Sequence, residues 1–315
     1  MTVLVHLEWP ERCFRVNDGD LDYLRSLLPP DAVLRRVTTE SEFLSALPEA
    51  TVALCWRFRA EWYALAPRLE LVATPAAGRE LVEPPPPPAA DLPRKAVVHF
   101  GGYHGEIISE TVLGFILAWA HGFFRELPLW PRSILAEEIG ALHGSRAVIL
   151  GYGRIGRAIG ARLAAFGVEI FGYSRHLGVT DAQLDEELRR ADWVVLALPS
   201  DTGTDDFLDA RRLALLPRRA VVVNIGRGNA IDERALLGAL RRGEIAAAYL
   251  DVFKNEPTVL NPEGIKRAGE DAAWDLANLP AAELPPNLIR TPHAAAFSSR
   301  YMRLCFKELK DEGLL

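Results

Sequence analysis

The chain has 315 residues, 49% of them apolar and 25% charged, and a formal net charge of −6. This length and apolar content allow two domains with full cores, and the acidic balance argues against nucleic acid as a partner. Three widely spaced cysteines, Cys13, Cys55 and Cys305, argue against a disulfide framework and favour a cytoplasmic protein. No basic segment with an apolar run opens the chain, and its most apolar stretch is too short to span a bilayer, so we expect neither a signal peptide nor a membrane partner.

Short apolar runs with strand character mark the N-terminal third of the chain. They cover residues 2–7, 52–56, 69–74 and 96–100, and helical or loop segments separate them. This alternation predicts β-α-β units. The prolines Pro84–Pro88 then predict a stiff surface spacer, with a ligand for a proline-binding domain as the less favoured interpretation.

A long apolar helix and a second α/β region follow. We expect the helix to begin near Ser109, because Ser109 or a residue just before it is a suitable N-cap and Glu110 suits the positive end of a helix dipole. From Ala147 onward, short apolar strands alternate with helices. That pattern predicts a parallel, doubly wound sheet.

The first strand of this region runs into a glycine-rich turn, AVILGYGRIGRAIG. Gly151, Gly153 and Gly156 have the G-x-G-x-x-G spacing, and the turn both follows a strand and opens a helix, which is the context that gives the motif its meaning. The glycines allow a tight turn, a close approach of the backbone to a pyrophosphate, and close packing of helix on strand. The amides of Arg154 and Ile155 would point at the phosphates.

About twenty residues further on, the sequence FGYSRH stands where an NAD site has a carboxylate for the ribose hydroxyls. A carboxylate there would repel the 2′-phosphate of NADP, whereas the hydroxyl of Ser174 and the guanidinium of Arg175 suit a phosphate. The sequence therefore predicts NADP(H) as the preferred cofactor, with NAD(H) as the weaker alternative. The competing interpretation is that Arg175 is a solvated surface arginine.

Three polar residues follow successive predicted strands of this region. Arg227 lies in a Gly-Arg-Gly turn, Glu256 follows YLDVFKN, and His293 follows LIRTP. The carboxyl ends of parallel strands face the cofactor crevice, so these residues are expected to meet there. An arginine that grips a carboxylate, a histidine that exchanges a proton and a glutamate that pairs with the imidazole suit the reduction of a 2-oxo acid or its reverse.

Together these stretches resemble the D-isomer-specific 2-hydroxyacid dehydrogenase family, in particular NADP-preferring glyoxylate/hydroxypyruvate reductases. The resemblance covers nearly the whole chain and is strongest in LHGSRAVILGYGRIGRAIG, VVVNIGRGNAIDERAL, AAAYLDVFKNEP and TPHAAA. It implies an α/β fold of two doubly wound parallel-sheet domains. A Rossmann dinucleotide-binding domain, residues 105–295, would be inserted into a flavodoxin-like substrate domain, residues 1–104 and 296–315. It also implies a homodimer.

The resemblance assigns roles by position. It implies that Arg227, Glu256 and His293 are catalytic. The sequence and the resemblance together predict that the cofactor is bound by Gly151, Gly153, Arg154, Ile155, Gly156, Ser174, Arg175, Leu198, Pro199, Thr204, Ile225, Asp251 and Ala295. They predict that the substrate is bound by Ala77, Gly78, His104 and Arg227, and no metal is expected.

The chain departs from the family pattern in four places, one of which is Ser174 in place of the usual acid. It has Ala76-Ala77-Gly78-Arg79 where the family often has Gly-Ala-Gly and an acid. His104 stands where an asparagine is frequent, so we expect Tyr103 and His104 to shape the substrate pocket. The stretch Thr258–Pro285 is longer than usual, and a plain surface insertion is favoured over a lid or a dimer arm.

Two functions of different classes remain. The first is an NADP(H)-preferring D-2-hydroxyacid dehydrogenase, an oxidoreductase that transfers a hydride between the nicotinamide and a small 2-oxo or 2-hydroxy acid. The second is a binding protein on the same fold that senses NADP(H), in the manner of a corepressor. The complete arginine, glutamate and histidine set favours the enzyme.

Overall fold

The computed structural model describes residues 1–79, 81–85, 96–124, 139–200, 203–256 and 276–315. Within them the chain forms two compact units. Unit 1 comprises Met1–His104 and Phe297–Leu315, and unit 2 comprises Gly105–Ala296, so unit 2 is inserted into unit 1 along the chain. Pro86–Pro88 of the predicted spacer and the first part of the predicted insertion, residues 258–275, lie outside the described residues.

The two units are built from parallel strands and intervening helices. The strands are β1 (Thr2–His6), β2 (Val33–Arg36), β3 (Val52–Cys55), β4 (Leu71–Thr74), β5 (Val97–Phe100), β6 (Arg146–Leu150), β7 (Glu169–Tyr173), β8 (Trp193–Leu196), β9 (Val221–Asn224), β10 (Ala247–Leu250) and β11 (Leu288–Arg290). The helices are α1 (Asp18–Leu27), α2 (Glu40–Ala46), α3 (His104–Ala120), α4 (Arg154–Ala165), α5 (Asp181–Leu188), α6 (Ala210–Leu213), α7 (Glu233–Arg241) and α8 (Tyr301–Asp311). No helix in these ranges is long and apolar enough to cross a membrane.

Unit 1 is a five-stranded parallel sheet in the order β2-β1-β3-β4-β5, the flavodoxin-like order. Helices α1 and α2 each begin with a capping box, at Asn17 and Thr39, which satisfies backbone amides of the first helical turn. The sequence did not predict β2, because its four residues are at most half-buried at the sheet edge and two of them are arginines.

Unit 2 is a six-stranded parallel sheet in the order β11-β10-β9-β8-β6-β7. Successive residues of each central strand alternate between two apolar cores. Val148 and Val194 pack in the core that includes α5 and α7, while Ile149 and Val195 pack in the core that includes α3 and α4. Both faces of the sheet are therefore covered, as the predicted doubly wound Rossmann fold requires, and the strand order reverses at β6.

Helix α3 begins five residues earlier than the sequence predicted. Ser109 is not its N-cap but a buried interior residue, whose hydroxyl donates to the carbonyl of Gly105. Gly105 can lie inside the helix because α3 packs tightly there: a Cβ atom at Gly105 would come within 3.0 Å of the Ala158 Cβ on α4. The glycine that suggested a loop therefore serves close helix packing.

The last part of the predicted insertion, residues 276–285, lies at the surface except for Leu276. Leu276 is fully buried and belongs to the same core as α5 and α7. The Arg290 side chain donates to the carbonyl oxygens of Leu276, Ala277 and Leu279, at 2.6, 3.0 and 3.0 Å. The expectation of a plain surface insertion is therefore wrong for Leu276, whereas Asn278 and residues 280–283 are exposed.

Helix α8 is tied to the end of β5 by a half-buried carboxylate. Glu308 accepts two hydrogen bonds from the Gly102 amide, at 2.8 and 3.1 Å, and lies 3.4 Å from Nε2 of His99. Its side chain is only 10% exposed, against 40% for Glu312, which lies 3.3 Å from Nδ1 of the same histidine.

We expect Glu308→Ala to lower the free energy of unfolding of the protein by about 1–3 kcal/mol, because it leaves an amide without its acceptor. The exposed Glu312→Ala is the matched control and should cost less than about 1 kcal/mol. Urea unfolding followed by circular dichroism measures both. Equal losses would show that the Gly102 contact does not stabilise unit 1.

Candidate active site

The glycine-rich turn lies where the strand order of unit 2 reverses. Gly151 has a φ of 99°, and a Cβ atom there would lie 2.4 Å from the carbonyl oxygen of Ala197, just after β8. A Cβ atom at Gly156 would lie 2.2 Å from the Gly151 oxygen. Both positions therefore exclude every other residue, whereas a Cβ atom at Gly153 would meet open space.

Gly153 is also the N-cap of α4, so the first amides of that helix have no capping side chain from this position. An open N-terminus of a twelve-residue helix at a topological switch point is what a pyrophosphate requires. The residues of this turn fit a dinucleotide.

The end of β7 lies beside the turn. The carbonyl oxygen of Tyr173 accepts from the amides of Gly151 and Tyr152, at 2.9 and 2.8 Å. Ser174 follows directly, half-buried, and the exposed Arg175 begins a short 3-10 turn. Both sequence-predicted ribose residues are thus adjacent to the phosphate turn.

The next wall of the crevice comes from the ends of β8 and β9. Ile225 donates its amide to the Leu196 carbonyl at 3.1 Å, and the Thr204 hydroxyl donates to the Pro199 carbonyl at 2.7 Å. A Cβ atom at Gly226 would lie 2.7 Å from the amide nitrogen of Leu198. The predicted cofactor residues Leu198, Pro199, Thr204 and Ile225 therefore lie on two segments in direct contact.

Arg227 stands in a turn that has neighbours on both sides. The buried Asn224 side chain closes it, accepting from the Gly226 amide at 3.1 Å and donating to the Arg227 carbonyl at 3.0 Å. A Cβ atom at Gly228 would lie 1.9 Å from the carbonyl carbon of Phe253. The Gly-Arg-Gly sequence is thus dictated by backbone contacts, and the arginine is the residue that projects.

A buried carboxylate organises the turn that carries the histidine. Asp251 is 1% exposed and accepts hydrogen bonds from the amides of Ala294 and Ala295, both at 2.8 Å, and from the Thr291 hydroxyl. Its own carbonyl accepts from the His293 amide at 2.8 Å. Asp251, predicted as a cofactor contact, therefore holds residues 291–295, including the predicted cofactor residue Ala295.

His293 and Glu256 form a hydrogen-bonded pair. Nδ1 of His293 lies 2.8 Å from Oε1 of Glu256, whose other oxygen accepts from the Phe253 amide at 3.3 Å. His293 has a φ of 53°, which is rare for a residue with a side chain. The His293 side chain is 51% exposed, and its partial desolvation lowers the pKa of the imidazole. The hydrogen bond and charge of Glu256 and the charge of Asp251 outweigh this desolvation and the opposing charge of Arg227. The net pKa of His293 is raised.

The predicted substrate residues of unit 1 lie at the carboxyl edge of its own sheet. Ala77 is exposed and Gly78 half-buried, in the loop that follows β4. His104 is buried, with Nδ1 3.1 Å from the Gly101 carbonyl and Nε2 2.9 Å from the hydroxyl of Tyr301. Both of its ring nitrogens have partners, so it is built into the wall rather than projecting from it.

Sequence reasoning missed two groups that shape these segments. Glu233, 3% exposed on α7, accepts from the Lys254 amide at 2.8 Å and so fixes the segment between Asp251 and Glu256. Tyr301 belongs to an aromatic cluster with Tyr103 and His104. An acid at the start of α7 looks like an ordinary helix-dipole residue, and an aromatic residue in the C-terminal segment carries no local signal of a site.

The model of the D-isomer specific 2-hydroxyacid dehydrogenase, NAD binding domain, matches residues 126–295. That is more than half of the chain. The chain belongs to this family. The match covers the glycine turn and all three residues Arg227, Glu256 and His293, which supports a nicotinamide cofactor.

Individual members of the family give the same assignment. The chain is 29% identical over 255 residues to a glyoxylate reductase of Thermococcus kodakarensis, a match that covers 73% of this chain and 72% of that one. It is 29% identical over 283 residues to a D-3-phosphoglycerate dehydrogenase of Mycobacterium leprae, covering 79% of this chain but only 53% of the relative, so it spans about half of that protein. A D-isomer specific 2-hydroxyacid dehydrogenase family protein from Aeromonas salmonicida superposes with a TM-score of 0.68 at 27% identity, covering 99% of this chain and 94% of that one.

The pairing of His293 with Glu256 predicts how the stability of the protein depends on pH. Glu256→Gln should lower the pKa of His293, because burial and the charge of Arg227 then act with less opposition. A group with a raised folded pKa stabilises the fold below its unfolded value, about 6.5, and loses that contribution as the pH rises through the folded value. Relative to the wild type, Glu256→Gln should therefore lose more free energy of unfolding at about pH 5.5 than above about pH 9.

Proton NMR titration of the His293 ring measures the pKa directly, and thermal unfolding at the two pH values measures the linkage. Glu283→Gln, an exposed change elsewhere in unit 2, is the control. An unchanged titration of His293 in Glu256→Gln would contradict the pairing.

Proposed function

We propose that the protein is an NADP(H)-preferring D-2-hydroxyacid dehydrogenase that works as a 2-oxo acid reductase of the glyoxylate/hydroxypyruvate type. The observation that carries the proposal is the 2.8 Å pair of His293 and Glu256. Arg227 lies close enough for its charge to lower the pKa of that histidine. A glyoxylate reductase among the relatives supports the substrate class. In this proposal unit 1 is the substrate domain and unit 2 the dinucleotide-binding domain.

The residues divide the work by their chemistry. When bound, the reduced nicotinamide supplies a hydride for the carbonyl carbon of the substrate. Arg227 holds the substrate carboxylate in two-pronged fashion and polarises the neighbouring carbonyl. Nε2 of His293 donates a proton to the oxygen that becomes the hydroxyl. Glu256 holds Nδ1, and so keeps the imidazole oriented and protonated.

The positive φ of His293 belongs to the same arrangement. The Asp251 carboxylate stabilises this backbone conformation by accepting hydrogen bonds from the two amides that follow His293. Asp251 is thus a positioning residue for the proton donor. The backbone amides of Ala77 and Gly78 are the further donors proposed for the substrate carboxylate.

NADP(H) rather than NAD(H) is proposed because no carboxylate stands at the first two positions after β7. Ser174 offers a hydroxyl and Arg175 a guanidinium, and both suit a 2′-phosphate. One charge-assisted hydrogen bond is worth about 1.5–3 kcal/mol, roughly ten- to hundredfold in affinity.

The first test replaces the proton donor. His293→Gln should reduce the rate of NADPH oxidation with glyoxylate or hydroxypyruvate by at least about a hundredfold, because it removes general acid catalysis. NADPH affinity, measured by calorimetry, should stay within a factor of about two. Full activity in the variant would contradict the role of His293. Tight NADPH binding by a wild-type protein that turns over no 2-oxo acid would favour the corepressor-like alternative.

The second test concerns the cofactor. Arg175→Ala should raise the KM for NADPH by about ten- to hundredfold and leave the KM for NADH nearly unchanged, because only NADPH carries the 2′-phosphate. Arg218→Ala, an exposed arginine of unit 2, is the matched control. Equal KM changes for both cofactors would show that Arg175 does not read the phosphate.

A further inference from the structure

A largely buried ion pair lies two residues before Glu256. Nζ of Lys254 lies 2.6 Å from Oδ1 of Asp206, in the segment that follows β8. The lysine side chain is only 14% exposed, whereas the other two lysines that the structure describes, Lys307 and Lys310, are exposed. A lysine withdrawn from water is costly unless a carboxylate pairs with it. Asp206 is that carboxylate.

Asp206 has an unusual backbone conformation. Its φ is 46°, and within the described ranges only one other non-glycine residue, His293, has a positive φ. Aspartate adopts this region more readily than most residues, yet the conformation still costs about 1–2 kcal/mol. Two contacts offset the cost: the Asp206 amide donates to the Asn229 carbonyl at 2.7 Å, and the carboxylate meets Lys254. The oxygen that faces the lysine is itself buried, and Lys254 is its one partner among the described residues.

The backbone of Lys254 is fixed separately from its side chain. Its amide donates to the buried carboxylate of Glu233 on α7, at 2.8 Å. A Cβ atom at Gly228 would lie 2.4 Å from the Lys254 nitrogen, so the turn after β9 packs directly against this residue. Because the backbone is already held from α7 and from that turn, the side chain is available to contact a further segment.

Three segments of the candidate site meet at this ion pair. The segment after β8 contains the predicted cofactor residue Thr204. The turn after β9, which carries Arg227, donates from the Asn229 side chain to Asp205 of that segment, at 2.6 Å. The ion pair then connects the segment after β8 directly to the segment that leads to Glu256.

We propose that Lys254 is a positioning residue that holds Glu256 against His293, and that Asp206 holds Lys254 in place from the segment after β8. This inference rests on the proposed function, because it takes His293 as the proton donor. Only Asn255 separates the lysine from the glutamate, so a shift of the Lys254 backbone moves Glu256 as well. The cofactor side of the crevice and the paired imidazole are then linked through one ion pair.

The sign of the change in the His293 pKa distinguishes positioning from a charge effect. The largest charge effects on this imidazole come from Glu256, Asp251 and Arg227. Loss of the Lys254 charge alone would raise the pKa of His293, because removing a cation favours the protonated ring. Loss of positioning loosens Glu256 and lowers that pKa. We therefore expect Lys254→Met to lower the pKa of His293 in a proton NMR titration, by less than Glu256→Gln does.

Turnover gives a second measurement. With NADPH and glyoxylate, Lys254→Met should lower kcat about tenfold, because a misplaced proton donor slows the chemical step. The KM for glyoxylate should change less than about twofold, since Arg227 holds the substrate carboxylate. Lys254→Arg keeps the cation and should recover most of both kcat and the pKa of His293.

Asp206→Gly tests the partner. Glycine accepts a φ of 46° without strain, so this variant removes the carboxylate without burdening the backbone, and it remains informative if Lys254→Met is poorly folded. It should also lower the pKa of His293, and the double variant should lower it no further than Lys254→Met alone. Lys307→Met, which breaks the exposed pair with Asp311, is the matched control and should change neither kcat nor the pKa.

A raised or unchanged pKa of His293 in Lys254→Met, or effects of the two single variants that add in the double variant, would overturn the proposal. Failure of the proposed function is separable, because the titration needs neither cofactor nor substrate. A lowered pKa in Lys254→Met, in a protein whose wild type reduces no 2-oxo acid, would support the positioning of Glu256 and contradict the proposed function. Turnover by the wild type, with the wild-type pKa in the variant, would do the reverse.

Discussion

The candidate site depends on one buried carboxylate. Asp251 follows β10, and its carboxylate accepts hydrogen bonds from the Thr291 hydroxyl and from the amides of Ala294 and Ala295. Its backbone carbonyl accepts from the His293 amide. An isolated buried carboxylate would be costly, and the hydrogen bonds it accepts offset that cost. Because the partners lie on both sides of His293, the carboxylate stabilises a backbone conformation that a histidine rarely adopts. The position of the imidazole is thus decided one strand away from it.

The rest of the site follows from how closely the backbone segments approach one another. The turn after β6 leaves no room for a side chain at Gly151 or Gly156, and the turn after β9 leaves none at Gly226 or Gly228. Where segments are this close, each projecting side chain has few directions open to it. Arg227 projects because its two neighbours cannot, and the segment its turn contacts is the one that leads to Glu256.

Much of the fold and part of the candidate site could be predicted from the sequence. The fold class is confirmed, because the strand patterns are short, apolar and regularly spaced, and the glycine spacing marks the crevice. The start of α3 was wrong because Gly105 looks like a loop residue until the contact with Ala158 is known. The packing of Leu276 was missed because a hydrophobic residue in a long polar and proline-containing stretch has no local periodicity. Asp251 was found, but its backbone contacts are long-range and leave no pattern in the chain.

The charge of the molecule also has to be considered locally. A net charge of −6 disfavours anions at a distance, yet both the cofactor and the acid proposed here are anions. Screening confines a surface charge to about 8 Å at physiological ionic strength, so the few cations nearest the ligand dominate. Arg175 and Arg227 follow two different strands of unit 2, β7 and β9, and are the cations proposed for the 2′-phosphate and the substrate carboxylate. The framework that presents them depends on apolar packing and glycine contacts, so the choice of anion can change with one side chain while the fold stays the same.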